Sequence, residues 1–253
     1  MKKVYIGSNL KMYKDIGETA KYLEKLGELT KCIDRSNVEI FILPSYLSLE
    51  KAKSIGKKYN ILIGAQNMCW ENEGQFSGEI SPKMLKEIGI DMVMAGHSER
   101  RHIFGEDNFT ENRKVLAAME HGFKTLLCIG ETEEEKRFGI SKEVLREQLL
   151  VGLNGVKSRL NLMIAYEPVW SIGVKGVPAS SEYANEMHSV IKNCLYDIFN
   201  DKGLNIPVLY GGSVNEDNAV ELFKQKNVDG LFVGRAAWNT EGFNNIIQKI
   251  LKI

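Results

Sequence analysis

Long apolar runs are missing from this 253-residue chain. No stretch approaches the ~20 apolar residues that a membrane-spanning helix requires. The opening Met1-Lys2-Lys3-Val4-Tyr5-Ile6 starts basic, but its apolar run breaks at Gly7-Ser8-Asn9, too early for the core of a secretory signal, so no leader is expected. An excess of either charge is missing too. Lysine plus arginine and aspartate plus glutamate number 33 each, which removes any global attraction to nucleic acid or to an anionic membrane. An anionic ligand must therefore be held by a local site. Cysteine is scarce: Cys32, Cys69, Cys128 and Cys194 are widely spaced and form no C-x-x-C pair. In a chain long enough to bury its own core they read as reduced thiols of a cytoplasmic protein. Four histidines show no ligand spacing. His97-Ser98-Glu99 imitates the start of a zinc deaminase signature, but no Pro-Cys-x-x-Cys follows, so no metal is expected.

What is present is a repeated alternation. Short apolar runs occur at Val4-Tyr5-Ile6, Val38 to Leu43, Ile61-Leu62-Ile63, Met92 to Ala95, Thr125 to Ile129, Leu162 to Tyr166, Pro207 to Tyr210 and Leu231-Phe232-Val233. Most are apolar at nearly every position, as parallel strands covered on both faces are. The segments between them carry helix punctuation. Ser81-Pro82 places a capping hydroxyl before a proline at the first helical position, and Thr110 precedes a stretch that Gly122 stops. Ser141, Ser180 or Ser181, and Asn215 are candidate caps for three more helices. Eight strand-helix units without a linker predict one (β/α)8 barrel domain over residues 1–253. Alternation alone also fits a doubly wound open sheet. No G-x-G-x-x-G follows the first strand, which lowers the dinucleotide-binding reading.

Barrel enzymes build their sites just beyond the C-terminal ends of the strands. Strand one ends in Asn9 and Lys11, and strand four in Gly96-His97-Ser98-Glu99-Arg100. Strand six ends in Glu167, strand seven in Gly211-Gly212-Ser213, and strand eight in Gly234-Arg235. Glu167 stands between a buried run and Pro168, where a carboxylate kept from water is a stronger base, as removal of a carbon-bound proton requires. A strand-end glutamate facing water is the plainer alternative. His97 opens a plausible helix and suits a neutral ring that donates to a carbonyl oxygen; a structural histidine fits equally. Lys11 is either a surface lysine or a cation for phosphate and a developing oxyanion. The glycine turns after strands seven and eight suit backbone amides aimed at phosphate, or tight turns only. Pro168 to Pro178 holds Val169, Trp170, Ile172 and Val174 between glycines, which reads as a lid or as a loop packed on the rim.

Taken together, the residues resemble the triosephosphate isomerase family over essentially the whole chain. Asn9-Leu10-Lys11, Gly96 to Arg101, Ala165 to Trp170, Tyr210 to Val214 and Asp229 to Gly234 match its motifs in order and spacing, and Gln66-Asn67 with Gly74 to Glu79 looks like its dimer loop. The resemblance implies a TIM barrel, an aldose-ketose isomerase of glycolysis and gluconeogenesis, and a homodimer through the loop Asn67 to Glu79. It implies Glu167 as base, His97 as electrophile, Lys11 as cation and Asn9 orienting a small phosphorylated sugar. Gly173, Ser213 and Gly234 would hold phosphate, Glu99 would lie beside Lys11, and Cys128 would stand nearby. No cofactor is implied.

The departures fall elsewhere. Leu10 replaces the family's usual tryptophan and Ser171 its alanine; Val174 to Pro178 alters the lid. Arg235 replaces a second glycine in the phosphate turn, where it is a candidate to bind the phosphate or the extra hydroxyl of a longer sugar, or else faces solvent or pairs with an acidic neighbour. The acid-base set is untouched, so glyceraldehyde 3-phosphate and dihydroxyacetone phosphate are the first expectation. The altered rim resembles a branch of the family acting on four-carbon erythrulose phosphates, which is the alternative. A phosphate-binding barrel without catalysis is the third, and it has no need of a base opposite an electrophile.

Overall fold

The computed structural model describes residues 3–173 and 176–253; Val174 and Lys175, within the stretch read as a lid, lie outside the described residues. Eight strands form: β1 Val4–Asn9, β2 Val38–Leu43, β3 Leu62–Ala65, β4 Met92–Ala95, β5 Lys124–Ile129, β6 Leu162–Tyr166, β7 Val208–Tyr210 and β8 Gly230–Val233. Each pairs in parallel with the next, and β1 also pairs with β8, so the sheet closes into a barrel. The open-sheet alternative is thereby excluded.

The barrel explains why its strands lack polar alternation. Every residue of β2 is buried. Phe41 and Leu43 point into the lumen with Met92, Met94, Leu126, Cys128, Met163, Ala165, Leu209 and Phe232. The alternate positions Val38, Ile40 and Ile42 join the layer beneath the helices. Period two is thus present, but both faces are apolar. The lumen is filled by pairing large with small residues. A Cβ on Gly7 would come within 2.2 Å of the Phe41 ring, which itself stacks on Phe232 at 5.8 Å. A packed lumen leaves only the rims for chemistry.

Ten helices are described: α1 Ile16–Thr30, α2 Leu49–Tyr59, α3 Pro82–Ile88, α4 Ser98–His102, α5 Asn108–Glu120, α6 Glu133–Arg137, α7 Ser141–Gly152, α8 Ser181–Phe199, α9 Ala219–Phe223 and α10 Thr240–Ile250. In α1 the buried residues Thr19, Tyr22, Leu23, Leu26, Gly27 and Thr30 recur every three or four positions, one stripe facing the barrel. Each buried leucine there contributes about 1.5–3 kcal/mol. Asp15 and Glu18 close its start as a capping box. Among the described residues no helix is long and apolar enough to cross a membrane.

Ser81 and Ser180 cap α3 and α8 as expected. Three caps differ. Asp107, three residues before Thr110, accepts the Thr110 amide at 2.7 Å and starts α5 earlier. Ser141 is the first helical residue of α7, behind Ile140, and its hydroxyl turns to Tyr183 at 3.2 Å. Asn218 precedes α9, while Asn215 caps the turn before it, accepting from the amides of Asp217 and Asn218. Only Asp107 takes over the capping bond; neither Ile140 nor Asn218 makes a side-chain cap to its helix.

Candidate active site

The strand ends singled out in the sequence converge on one cleft of about 360 Å³ at the C-terminal rim. Asn9, Lys11, His97, Glu167, Gly173, Ser213, Gly234 and Arg235 all line it. Lys11 follows β1 with φ 51°, a left-handed conformation costly for a residue with a Cβ. Three bonds hold it there. Its amide donates to Asn9 Oδ1 at 2.8 Å, its carbonyl accepts from Gln66 Nε2 at 2.8 Å, and its Nζ sits 2.6 Å from Glu99 Oε1. The turn brings an ammonium group back over the barrel mouth, beside the carboxylate expected next to it.

His97 ends the strand-four turn and caps α4. Its Nδ1 accepts the Glu99 amide at 3.1 Å. A nitrogen that accepts carries no proton, so the ring is neutral with its hydrogen on Nε2. That Nε2 lies 3.6 Å from Glu167 Oε1, beyond hydrogen-bond range. Glu167 and His97 are 2% and 4% exposed, so both side chains lie at the buried floor of the cleft. The Glu167 amide is bonded to the Ile129 carbonyl at 2.7 Å, and Oε2 accepts from the Ser98 amide at 3.3 Å. A Cβ on Gly130 would lie 1.9 Å from the Glu167 carbonyl oxygen, so only glycine permits this close approach of β5's end to β6's.

Cys128 lies in the lumen. Burial, reinforced by the Glu167 carboxylate, pushes its thiol well above its ordinary pKa, so the thiolate needed of a nucleophile is disfavoured. Among the described residues, no group of three or more His, Cys, Asp or Glu is placed to hold a metal ion.

Sequence reasoning missed Glu131. Fully buried at the end of β5, it accepts from Tyr166 Oη at 3.0 Å, Trp170 Nε1 at 2.9 Å and Tyr183 Oη at 2.9 Å. The Lys136 ammonium lies 3.2 Å over the Trp170 ring. Trp170 therefore packs against the rim at the root of the expected lid. The signal was available, because Gly130-Glu131 occupies the same strand-end position that singled out Glu167. The role of Ser171 was also unseen: its buried Oγ accepts the Ser213 amide at 3.0 Å.

The loop Asn67 to Glu79 lies outside the cleft and starts from a buried charge cluster. Lys114 Nζ donates to Asn67 Oδ1 at 2.9 Å and pairs with Glu106 at 2.6 Å, while Arg100 bonds Glu106 from the other side. Burial pushes Glu106 up, but Arg100, Glu111 and Lys114 outweigh it and hold the carboxyl low, at about 2. Glu111, fully buried beside it, is pushed up to about 8 by burial, with Lys114 opposing and Glu106 adding. Phe76, at the loop tip, remains partly exposed, edge-on to Trp70 at 6.0 Å.

A family model described as triosephosphate isomerase matches residues 4–250. The chain is 41% identical over 251 residues to an L-erythrulose-1-phosphate isomerase of Rhizobium etli, covering 98% of this chain and 92% of that protein. It is 40% identical over 255 residues to one of Brucella abortus, covering 98% and 97%. A solved triosephosphate isomerase from Bartonella henselae superposes with a TM-score of 0.89 at 34% identity, covering 98% of each chain. An isomerase of this barrel type was the expectation; the names of these curated relatives favour the four-carbon alternative over the triose reading. The chain belongs to the triosephosphate isomerase family.

Proposed function

We propose that this protein moves the carbonyl of L-erythrulose 1-phosphate from C2 to C3. The observation that carries the reading is the facing pair His97 and Glu167 at 3.6 Å, in a chain 41% identical to an isomerase named for that substrate. Glu167 takes the proton from the carbon beside the carbonyl, leaving an enediolate. His97 Nε2–H donates to the oxygen that gains charge, and the Lys11 ammonium stabilises it. Proton transfer between the two oxygens through His97 and return of the first proton from Glu167 to the neighbouring carbon complete the isomerisation. No electron acceptor is required, since one carbon is oxidised as its neighbour is reduced.

This substrate is dihydroxyacetone phosphate with a hydroxymethyl group in place of one hydrogen on the reacting carbon. Its product is therefore another ketose, so the aldose-ketose label and a place in glycolysis belong to the triose reading alone. The acid-base set serves either substrate; the choice between them falls to the part of the cleft that takes the extra hydroxymethyl group. Turnover of the two sugar phosphates side by side tests the proposal.

We also read the protein as a cytoplasmic homodimer. Phe76, with the exposed Met12, Tyr13 and Leu47, supplies apolar surface for a second copy, and Met12 adjoins Lys11. Specific interfaces bury roughly 1,200–2,000 Å².

A further inference from the structure

The phosphate rim differs from a cradle of free backbone amides, and two residues make the difference. The first is Ser171. Its side chain is fully buried, and Oγ accepts the Ser213 amide at 3.0 Å while lying 3.4 Å from Tyr210 Oη. The turn is pressed on that hydroxyl: a Cβ on Gly212 would come 2.8 Å from Ser171 Oγ and 2.3 Å from Tyr210 Oη. The Ser213 amide, on one of the two turns where barrels commonly bind phosphate, is thus already committed.

The second is Arg235. It follows Gly234, lines the cleft, and is exposed. Among the described residues its guanidinium has no hydrogen-bond or ion-pair partner. Lys11, another cation of the cleft, is neutralised by Glu99 at 2.6 Å. Among the described residues, nothing lies within 4 Å of a Cβ built on Gly234 or Gly173. The rim, from which one amide has been withdrawn, therefore offers a cleft-lining arginine whose five-donor fork makes no bond among the described residues.

We infer that Arg235 is the cationic anchor for the substrate's phosphate, and that Ser171 is a positioning residue that holds the Ser213 amide out of phosphate binding. This rests on the sugar-phosphate reading above, but it concerns anion binding and is tested without turnover.

The test is calorimetric titration of inorganic phosphate into the wild type, Arg235→Gly, Arg235→Lys, Ser171→Ala and the double variant Ser171→Ala/Arg235→Gly, with circular dichroism to establish that each is folded. Loss of one charge-assisted contact should weaken phosphate by about 10–100-fold in Arg235→Gly, with Arg235→Lys between. Ser171→Ala frees the Ser213 amide. In the Arg235→Gly background it should recover at least about threefold in affinity, a gain that damage to the loop would not produce. Wild type that fails to bind phosphate, or Arg235→Gly that binds it as wild type does, overturns the assignment of Arg235. A double variant no tighter than Arg235→Gly overturns that of Ser171. If phosphate behaves as stated while neither erythrulose 1-phosphate nor dihydroxyacetone phosphate is turned over, the proposed function fails and the anion site stands.

Discussion

His97 Nε2 and Glu167 Oε1 stand 3.6 Å apart at the ends of two different strands, unbonded to each other, while His97 Nδ1 and Glu167 Oε2 each accept a backbone amide. The backbone amide of Glu99 fixes the ring's tautomer, and the amide of Ser98 fixes the carboxylate. One short segment, Ser98-Glu99, thereby aims both groups at the space between them.

Replacement of Glu167 by Gln keeps that geometry and removes the base. Turnover should fall by ~10²–10⁴-fold. Inorganic phosphate should bind within a few fold of wild type. Near-normal turnover in the purified variant would remove Glu167 from the mechanism.

Glu131→Gln tests the anchor beneath Trp170. The carboxylate accepts three ring donors, and an amide cannot accept all of them without turning its own NH₂ toward a hydroxyl. The cost should be about 1–3 kcal/mol, or roughly 2–10 °C in melting temperature for a chain of this size. An unchanged melting curve would show that the buried network contributes nothing to stability.

The charge cluster below the loop sets a pH dependence. Glu111 is pushed up to about 8 in the folded state, so between its ordinary value and pH 8 the unfolded chain has lost a proton that the folded chain keeps. Stability from this group is full at low pH and is lost as pH rises through that window. Glu106 acts in the opposite sense, its contribution being lost only as pH falls from the ordinary glutamate value towards 2. Glu111→Gln should flatten the stability profile between pH 5 and 8, with a gain on the order of 2 kcal/mol at pH 8. Denaturant midpoints that track wild type across that range would sink this account.

Sedimentation at micromolar concentration should give a dimer, and Phe76→Glu at the loop tip should shift it towards monomer. A fully active wild-type monomer would count decisively against the interface.

Much of this was legible before any coordinates. The strand runs were found because a barrel buries both strand faces, which writes continuous apolar segments into the chain. The cleft residues followed from asking what stands immediately after each run. Helix starts were less legible, since Asp107 lies three residues from the equally suitable Thr110 and only local geometry decides between them. Glu131 was passed over because its partners Tyr166, Trp170 and Tyr183 are distant in sequence or look like ordinary core aromatics. The bond from Ser213 to Ser171 spans 42 positions and leaves no periodic trace.

The central claim is the four-carbon substrate, and kcat/KM for L-erythrulose 1-phosphate against that for dihydroxyacetone phosphate, measured on one preparation under one set of conditions, tests it most directly. The extra hydroxymethyl group sits on the reacting carbon and must find room in the cleft beside Glu167 and His97. A preference of at least about tenfold for the erythrulose ester is expected, equivalent to about 1.4 kcal/mol of differential transition-state binding. A comparable preference for the triose ester would contradict the account and return the chain to the reaction for which its family is named.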